Sequence, residues 1–427
     1  MHVFRNATLP DGRVRDVAVE GETIAAVGSD LEGDTERAAD GKHLFPGMID
    51  VHVHFREPGF PEKETWATGS RAAAAGGVTT VVDQPNTDPP TVDGSSFDRK
   101  AELARASLVD WGINGGVTPD WQPAELFDRP LFALGEVFLA DSTGDMGIGQ
   151  ALFEAALTRA RDAETTVTVH AEDATEFDES VQDRTDPAAW SDYRRPEAEV
   201  SAIDAAAELA VEVDAPVHIA HASTAEGIDL AAAAGLTTEV TPHHLFCSRE
   251  DLEELGTFGR MNPPLRAEST RRDVYERVAD GTVDVIATDH APHTRAQKDA
   301  DIWSAPSGVP GVETALPLLL EEVGTDRLSA KRVRDLTARN PAAIFGLENK
   351  GRIEVGYDAD LVLVDLDATR KIRGADLHGK TDWTPFEGMT GVFPELTMVR
   401  GEVVWESPDP TTPVGEFGDA VGENVRT

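Results

Sequence analysis

Residues 47–56 read Gly47-Met-Ile-Asp-Val-His-Val-His-Phe-Arg56. Apolar and polar residues alternate, which is the period of a β-strand, and side chains two apart share a face. On that reading His52, His54 and Arg56 project together, with Asp50 behind them. Imidazole nitrogen suits zinc and its neighbours, and two such ligands on one strand form a preorganised pincer. An isolated His-x-His is cheap to meet by chance, and a pair of buried structural histidines has the same spacing. The rest of the chain has to decide.

Seven further apolar runs follow: VTTVVDQPN (78–86), ASLVDWGING (106–115), LFALGEVFLA (131–140), TTVTVHAED (165–173), APVHIAHAS (215–223), LTTEVTPHH (236–244) and TVDVIATDH (282–290). Helical stretches such as KETWATGSRAAAAGG and ALFEAALTRARDA separate them. Eight strand-like runs alternating with helices predict an α/β fold, a (β/α)8 barrel of the TIM type, whose active site lies at the strand C-termini. A doubly wound open sheet is the alternative, but no Gly-rich dinucleotide fingerprint follows the first run. The first 45 residues and those from about 351 to 405 read instead as short strands with turns. They predict a small β-sandwich domain built from both chain termini (1–45 with 351–405), flanking a catalytic barrel at 46–350. The Pro-, Gly- and acid-rich tail at 406–427 reads as mobile or loosely docked.

The 427 residues include 78 acidic and 38 basic ones, a formal net charge of −40. A surface this negative repels phosphate backbones, which argues against nucleic-acid binding. The acid is spread along the chain, and lysine occurs only at 42, 63, 100, 298, 331, 350, 371 and 380. An acidic, lysine-poor surface resembles that of proteins from salt-loving archaea, where concentrated cations screen self-repulsion. Cys247 is the single cysteine, so no intramolecular disulfide forms and a reducing cytosol is expected. No stretch approaches the ~18–20 apolar residues of a membrane span, and no basic-then-apolar signal opens the chain. A soluble, cytoplasmic protein is the expectation.

The ends of the runs carry the chemistry. His170 ends VTVH, His221 ends VHIAH and Asp289 ends VIATD, so a barrel aims all three at the mouth that His52 and His54 face. Four histidines and a carboxylate gathered in this way are far more specific than any one of them. His218, three residues before His221, lies off its face and reads as structural. His243 and His244 read as supporting or core groups.

Beginning at PGMIDVHVHFREPG, the chain resembles the amidohydrolase superfamily, and within it the dihydroorotases. The likeness continues through GGVTTVVDQPNTDPP, TVHAED, VHIAHAST, VTPHHL, MNPPLR, IATDHAPH, SGVPGVET, TARNPAAIFGL and GRIEVGYDADLVLVD, nearly the whole length. The resemblance implies that His52 and His54 hold a first metal, that His170 and His221 hold a second, and that Asp289 binds the first while shuttling a proton. It implies zinc, two ions per subunit, although N/O ligand sets accept other divalent metals. The implied reaction is the reversible closure of N-carbamoyl-L-aspartate to dihydroorotate in pyrimidine biosynthesis, through a metal-bound hydroxide. Arg56 separates this substrate from the uncharged cyclic amides of hydantoinases, dihydropyrimidinases and allantoinases, because a guanidinium binds a carboxylate through two parallel hydrogen bonds. Asn86, Asn262 and His293 match further substrate contacts of the family, and the backbone at Pro310 and Gly311 matches a segment lining the substrate ring. A homodimer, an association with aspartate transcarbamoylase, and a catalytically dead partner of that enzyme are further readings open at this stage. Loops near 181–199 and 293–309 are the candidates for closing over substrate.

The chain departs from the family pattern in one place. Many members bridge their metals with a carboxylated lysine in a strand like KVFMGSSTG. Here the text is Glu136-Val-Phe-Leu-Ala-Asp-Ser-Thr-Gly144, and no lysine lies between Lys100 and Lys298. Glu136 stands at the lysine position and brings its own carboxylate on a shorter arm, so it is the expected bridge, with Asp141 as competitor.

Overall fold

A computed structural model of the chain describes residues 1–140 and 146–427. Eight parallel strands form the central layer: β1 (Met48–Val53), β2 (Val78–Asp83), β3 (Asp110–Ile113), β4 (Leu134–Phe138), β5 (Val167–His170), β6 (Val217–Ile219), β7 (Thr237–Val240) and β8 (Val285–Ile286). Strands β1 to β3 pair in order, and so do β4 to β8. Parallel bridges Gly115–Leu134 and Val53–His290 join the two sets, which closes the barrel expected from the eight apolar runs.

A helix follows each strand and covers the outside of the barrel. The first, Trp66–Ala75, shows why the sequence helps: Thr65 caps it through the Thr68 amide, its interior is Ala-rich, and Gly76 ends it. Its buried Ala72, Ala73, Ala74 and Ala75 belong to one large core with Val78, Val81, Leu316 and Leu319. Strand packs closely on strand at Gly135 (φ 137°), where an added Cβ would lie 2.3 Å from the Thr168 carbonyl oxygen. That close approach sets the start of the segment carrying Glu136.

Both chain ends build a second layer. Strands His2–Thr8, Val14–Glu20, Thr23–Gly28, Thr35–Ala38 and His43–Pro46 share one sheet with Leu361–Val364, Leu396–Val399, Glu402–Glu406 and Glu416–Phe417. The seam between the two halves is antiparallel, from Leu361 opposite Pro46 to Val364 opposite His43. Phe4, Val17, Ile24, Leu44, Leu361 and Met398 fill its separate core.

The last residues are not loose, contrary to the reading of the tail. Phe417 pairs with Trp405, the Trp111 amide donates to the Glu423 carbonyl (2.9 Å), and the Val425 amide donates to the Trp111 carbonyl (3.0 Å). The backbone hydrogen bonds, which composition does not show, hold a segment whose side chains alone predicted mobility. Among the described residues no helix is long and apolar enough to cross a membrane.

Candidate metal centre and substrate pocket

The C-terminal ends of the strands bring His52, His54, Glu136, His170, His221 and Asp289 together, all nearly inaccessible to solvent. Glu136 lies at the centre. Its Oε1 is 2.9 Å from His170 Nδ1 and 2.6 Å from His221 Nε2, and its Oε2 is 3.4 Å from His52 Nε2. Asp289 Oδ1 lies 2.9 Å from His54 Nε2 and 3.6 Å from His52 Nε2. The donor atoms of His52, His54 and Glu136 lie within 4.8 Å of one another, and so do those of Glu136, His170 and His221. Glu136 therefore belongs to both triads. Asp141, its competitor in the sequence, lies outside the described residues.

Three of the four imidazoles that face the centre are held from behind, while among the described residues His221 Nδ1 has no hydrogen-bond partner. His52 Nδ1 donates to Glu239 (2.6 Å), His54 Nδ1 donates to the Asn86 side-chain oxygen (2.7 Å), and His170 Nε2 donates to Glu172 (2.8 Å). Fixing the proton on the outer nitrogen leaves the inner one with a bare lone pair, as a metal ligand requires. The inner atoms then form a cluster of acceptors facing acceptors. His170 Nδ1 and His221 Nε2 are 2.9 Å apart, and among the described residues the buried His52 Nε2 has no hydrogen-bond partner. Such a cluster is stable only around protons or a cation.

The electrostatics agree. Burial opposes charging of His170, yet Glu136 and Glu172 push its pKa up to about 9. Burial likewise opposes charging of His52, and Glu239 and Glu136 raise it well above the ordinary value. Burial would raise Glu136, but the imidazoles of His52 and His221 hold it well below the usual carboxylate range. The protein has gathered negative charge and lone pairs that bind positive charge, and the N/O donor set fits a divalent metal.

The backbone is strained where these groups enter. Arg56 (φ 65°), His221 (φ 35°) and Asp289 (φ 45°) all adopt the left-handed region, which costs about 1–3 kcal/mol for a residue other than glycine. The strand-parity argument for Arg56 therefore needs correction. Strand β1 ends at Val53, and Arg56 reaches the cavity through a left-handed turn.

Arg56 borders the same cavity as His54, Asn86, Glu136, Asn262 and Asp289. It is 2 % exposed, and among the described residues its Nε has no hydrogen-bond partner. Its Nη2 lies 3.2 Å from His293 Nε2, but that nitrogen is also 2.9 Å from the Ser307 carbonyl oxygen. A carbonyl only accepts, so His293 Nε2 carries the proton and donates to Ser307, and it offers Arg56 no lone pair. The guanidinium is thus a buried cation whose contact with His293 sets one donor against another. Burial brings its pKa down to about 10, still far above neutrality.

The remaining expected contacts divide. Asn86 and Asn262 line the cavity, with Asn262 accepting from Trp190 Nε1 (3.0 Å) and from Ser307 Oγ (3.2 Å). Pro310 and Gly311 border a neighbouring small cavity, where the Gly311 amide donates to His290 Nδ1 (3.1 Å). Ser307 and Gly308 take their place on the wall of the metal-side cavity. Loops 181–199 and 293–309 pack on one another through Trp190 and Trp303, whose ring centroids are 5.8 Å apart.

Sequence reading missed Glu239 and Glu172. Glu239 accepts from His52 Nδ1, from the His221 amide (3.2 Å) and from His218 Nε2 (3.2 Å), so His218 serves the site by holding its carboxylate. Glu172 joins His170 to Arg194, whose Nε donates to it at 3.0 Å. A signal was present, because carboxylates inside or next to apolar strands are almost never buried unless paired.

The comparisons with known proteins agree with this geometry. A model of the "Amidohydrolase family" matches residues 43–404. A dihydroorotase from Halobacterium salinarum is 64% identical, with 100% of both chains covered. A dihydroorotase from Methanosarcina acetivorans is 43% identical over 96% of this chain and 93% of its own. Among solved structures, an L-hydantoinase (dihydropyrimidinase) from Arthrobacter aurescens superposes with a TM-score of 0.93 at 28% identity, covering 99% of each chain. Barrel, strand-end histidines and end-to-end similarity together place the chain in the amidohydrolase family.

Proposed function

We propose that the protein is a dihydroorotase, which closes N-carbamoyl-L-aspartate to dihydroorotate with loss of water and catalyses the reverse hydrolysis. The observation that carries the substrate is Arg56: a buried guanidinium, short of acceptors, beside a cluster of metal-binding type. Dihydroorotate has a carboxylate outside its ring to fill that place, whereas a hydantoin or a dihydropyrimidine does not. The relatives in Halobacterium salinarum and Methanosarcina acetivorans bear the same name.

In this reading His52, His54 and Asp289 would hold one divalent ion and His170 and His221 a second, with Glu136, which belongs to both donor triads, serving in place of a carboxylated lysine. Zinc is the ion we propose, for its affinity for imidazole and carboxylate. Bound there, the metal supplies Lewis acidity toward the amide carbonyl and a nucleophilic water at neutral pH. The chain does the rest. Burial raises the pKa of Asp289, but its contact with His54 and the field of His52 outweigh that and lower it, so the carboxylate is ionised. It accepts the proton released as water attacks and returns it to the departing ring nitrogen. Arg56 fixes the carboxylate, Asn262 and Ser307 face the same cavity, and His293 orders the Ser307 turn. The domain division follows the chemistry: 46–350 carries every one of these groups, while 1–45 with 351–405 carries none.

The test is cyclisation of N-carbamoyl-L-aspartate by the purified chain before and after chelation, with zinc, cobalt or manganese returned. Activity that disappears with the metal and returns with it supports the reading. Undiminished turnover after complete metal removal contradicts it.

A further inference from the structure

Lysine is scarce in this chain, with eight residues, and three of them are buried: Lys100, Lys298 and Lys350. Two of the three face carboxylates, Lys100 at Asp83 (2.7 Å) and Lys350 at Asp110, Asp358 and Asp360. Lys298 differs. It is fully buried, and among the described residues its ammonium makes no ion pair. Instead it donates to three carbonyls, those of Arg260 (2.9 Å), Pro306 (2.9 Å) and Gly308 (3.1 Å).

An ammonium has three donors, and here each meets one acceptor, so the geometry is complete. Its cost is high, because carbonyl dipoles offset the burial of a charge less well than a carboxylate does. Burial lowers the pKa well below the ordinary lysine value, and the nearby Arg260 and Arg56 add to that. An apolar residue of similar length would fill the same space at lower cost, so what the lysine adds is the three hydrogen bonds.

The three carbonyls come from the two segments that form the wall of the cavity opposite the histidines. Arg260 lies two residues before Asn262, and Pro306 and Gly308 flank Ser307. The Gly308 amide donates to the Arg260 carbonyl (3.0 Å), and Ser307 Oγ reaches Asn262 at 3.2 Å. Arg260 itself donates to the Ile302 (2.7 Å) and Ala305 carbonyls and stacks on Trp190, 3.7 Å from the ring centroid. The Ser307 carbonyl fixes the proton on His293 Nε2, beside Arg56. One buried ammonium thus sits where the Asn262 segment, the Ser307 turn and the His293 contact converge.

We propose that Lys298 is a positioning residue for substrate binding, setting the wall that receives the carboxylate-bearing side of the substrate without touching the metal side. The inference rests on the dihydroorotase reading above and deepens it. Its signature is a split in the kinetics: binding suffers, while the chemistry at the metals does not.

The experiment compares wild type, Lys298→Met and Lys298→Gln by steady-state hydrolysis of dihydroorotate, with metal content measured on each. Methionine removes all three donors, and glutamine keeps two. The expected result is a KM for dihydroorotate raised about tenfold or more in Lys298→Met, with kcat within about threefold of wild type and metal content unchanged. Lys298→Gln should recover part of the KM. An unchanged KM in a folded Lys298→Met, equal KM values in the two variants, or a fall in kcat that tracks lost metal would overturn the assignment. If Lys298→Met does not fold, Lys298→Gln against wild type decides by the same criteria, and failure of both to fold makes the residue purely structural and overturns it. A wild type inactive on dihydroorotate removes the underlying reading and this inference with it; an active wild type beside an unaffected variant removes this inference alone.

Discussion

Replacing Arg56 by methionine removes a charge and keeps most of the volume, because the methionine side chain is unbranched and adapts to irregular spaces. The structure sets the size of the effect. Arg56 is 2 % exposed, so solvent screens its interaction with a bound carboxylate only weakly. Among the described residues its Nε lacks a partner, and its neighbour His293 is itself a donor, so the guanidinium keeps hydrogen-bonding capacity for a substrate carboxylate. Removing one partner of a buried, hydrogen-bonded ion pair costs about 3–5 kcal/mol, since the other charge is left desolvated and alone. At about 1.4 kcal/mol per decade, that is about a 10²- to 10⁴-fold loss in kcat/KM for dihydroorotate. Metal content should not change, because the nearest polar group recorded for Arg56 is His293 and not one of the four inward imidazoles. The assay is steady-state hydrolysis of dihydroorotate alongside an uncharged cyclic amide, with metal analysis of both proteins. A loss below about tenfold on dihydroorotate, or an equal loss on the uncharged amide, would refute the assignment of Arg56 to the carboxylate.

Two further predictions concern the framework. Glu136→Gln keeps the shape but removes the charge shared by His52, His170 and His221, so bound metal and activity should fall together. The change should exceed the about 10–100-fold loss of metal affinity expected of Glu239→Gln, which acts only through His52 and its neighbours. Metal titration of the two variants tests the order, and equal affinities would remove Glu136 from the bridge. At the other end of the barrel, Lys350→Met leaves Asp110, Asp358 and Asp360 facing one another and should cost about 3–5 kcal/mol near neutral pH. Burial opposes the charge on Lys350, but Asp360 and Asp358 outweigh it and raise its pKa above the ordinary 10.5. The contribution is therefore complete below 10.5 and is lost as pH rises through the higher folded value. Denaturant midpoints measured on both sides of that range should converge for wild type and variant at the alkaline end; a constant difference contradicts the ion cluster.

Much of this was legible in the sequence because barrel strands are apolar throughout and their polar ends stand out. All eight runs became strands, and the histidines at 52, 54, 170 and 221 converged with Asp289 because a closed parallel barrel leaves their ends no other direction. What was not legible depends on backbone turns. Arg56 reaches the cavity through a left-handed residue that strand parity does not describe. Pro310 and Gly311 border a neighbouring cavity while Ser307 and Gly308 line the one beside the histidines, and Lys298, which donates to the Gly308 carbonyl, is a lone lysine in a loop with no visible pattern. Glu239 and Glu172 were hidden for a different reason: a carboxylate supporting an imidazole has no fixed spacing from it, only a shared location in space. The docked tail was missed because main-chain hydrogen bonds to Trp111 and the Arg426 contacts with the Phe132 and Phe345 carbonyls hold it, none of which composition shows.

On the proposed reading this cavity selects a cyclic amide bearing a carboxylate. The most direct measurement is the ratio of kcat/KM for dihydroorotate to that for dihydrouracil, the same ring without the carboxylate, on the metal-loaded enzyme. The expected ratio is about 10² or more, the discrimination that follows when a buried guanidinium is left unpaired. A ratio near or below one would contradict it and move the protein to the uncharged cyclic amides.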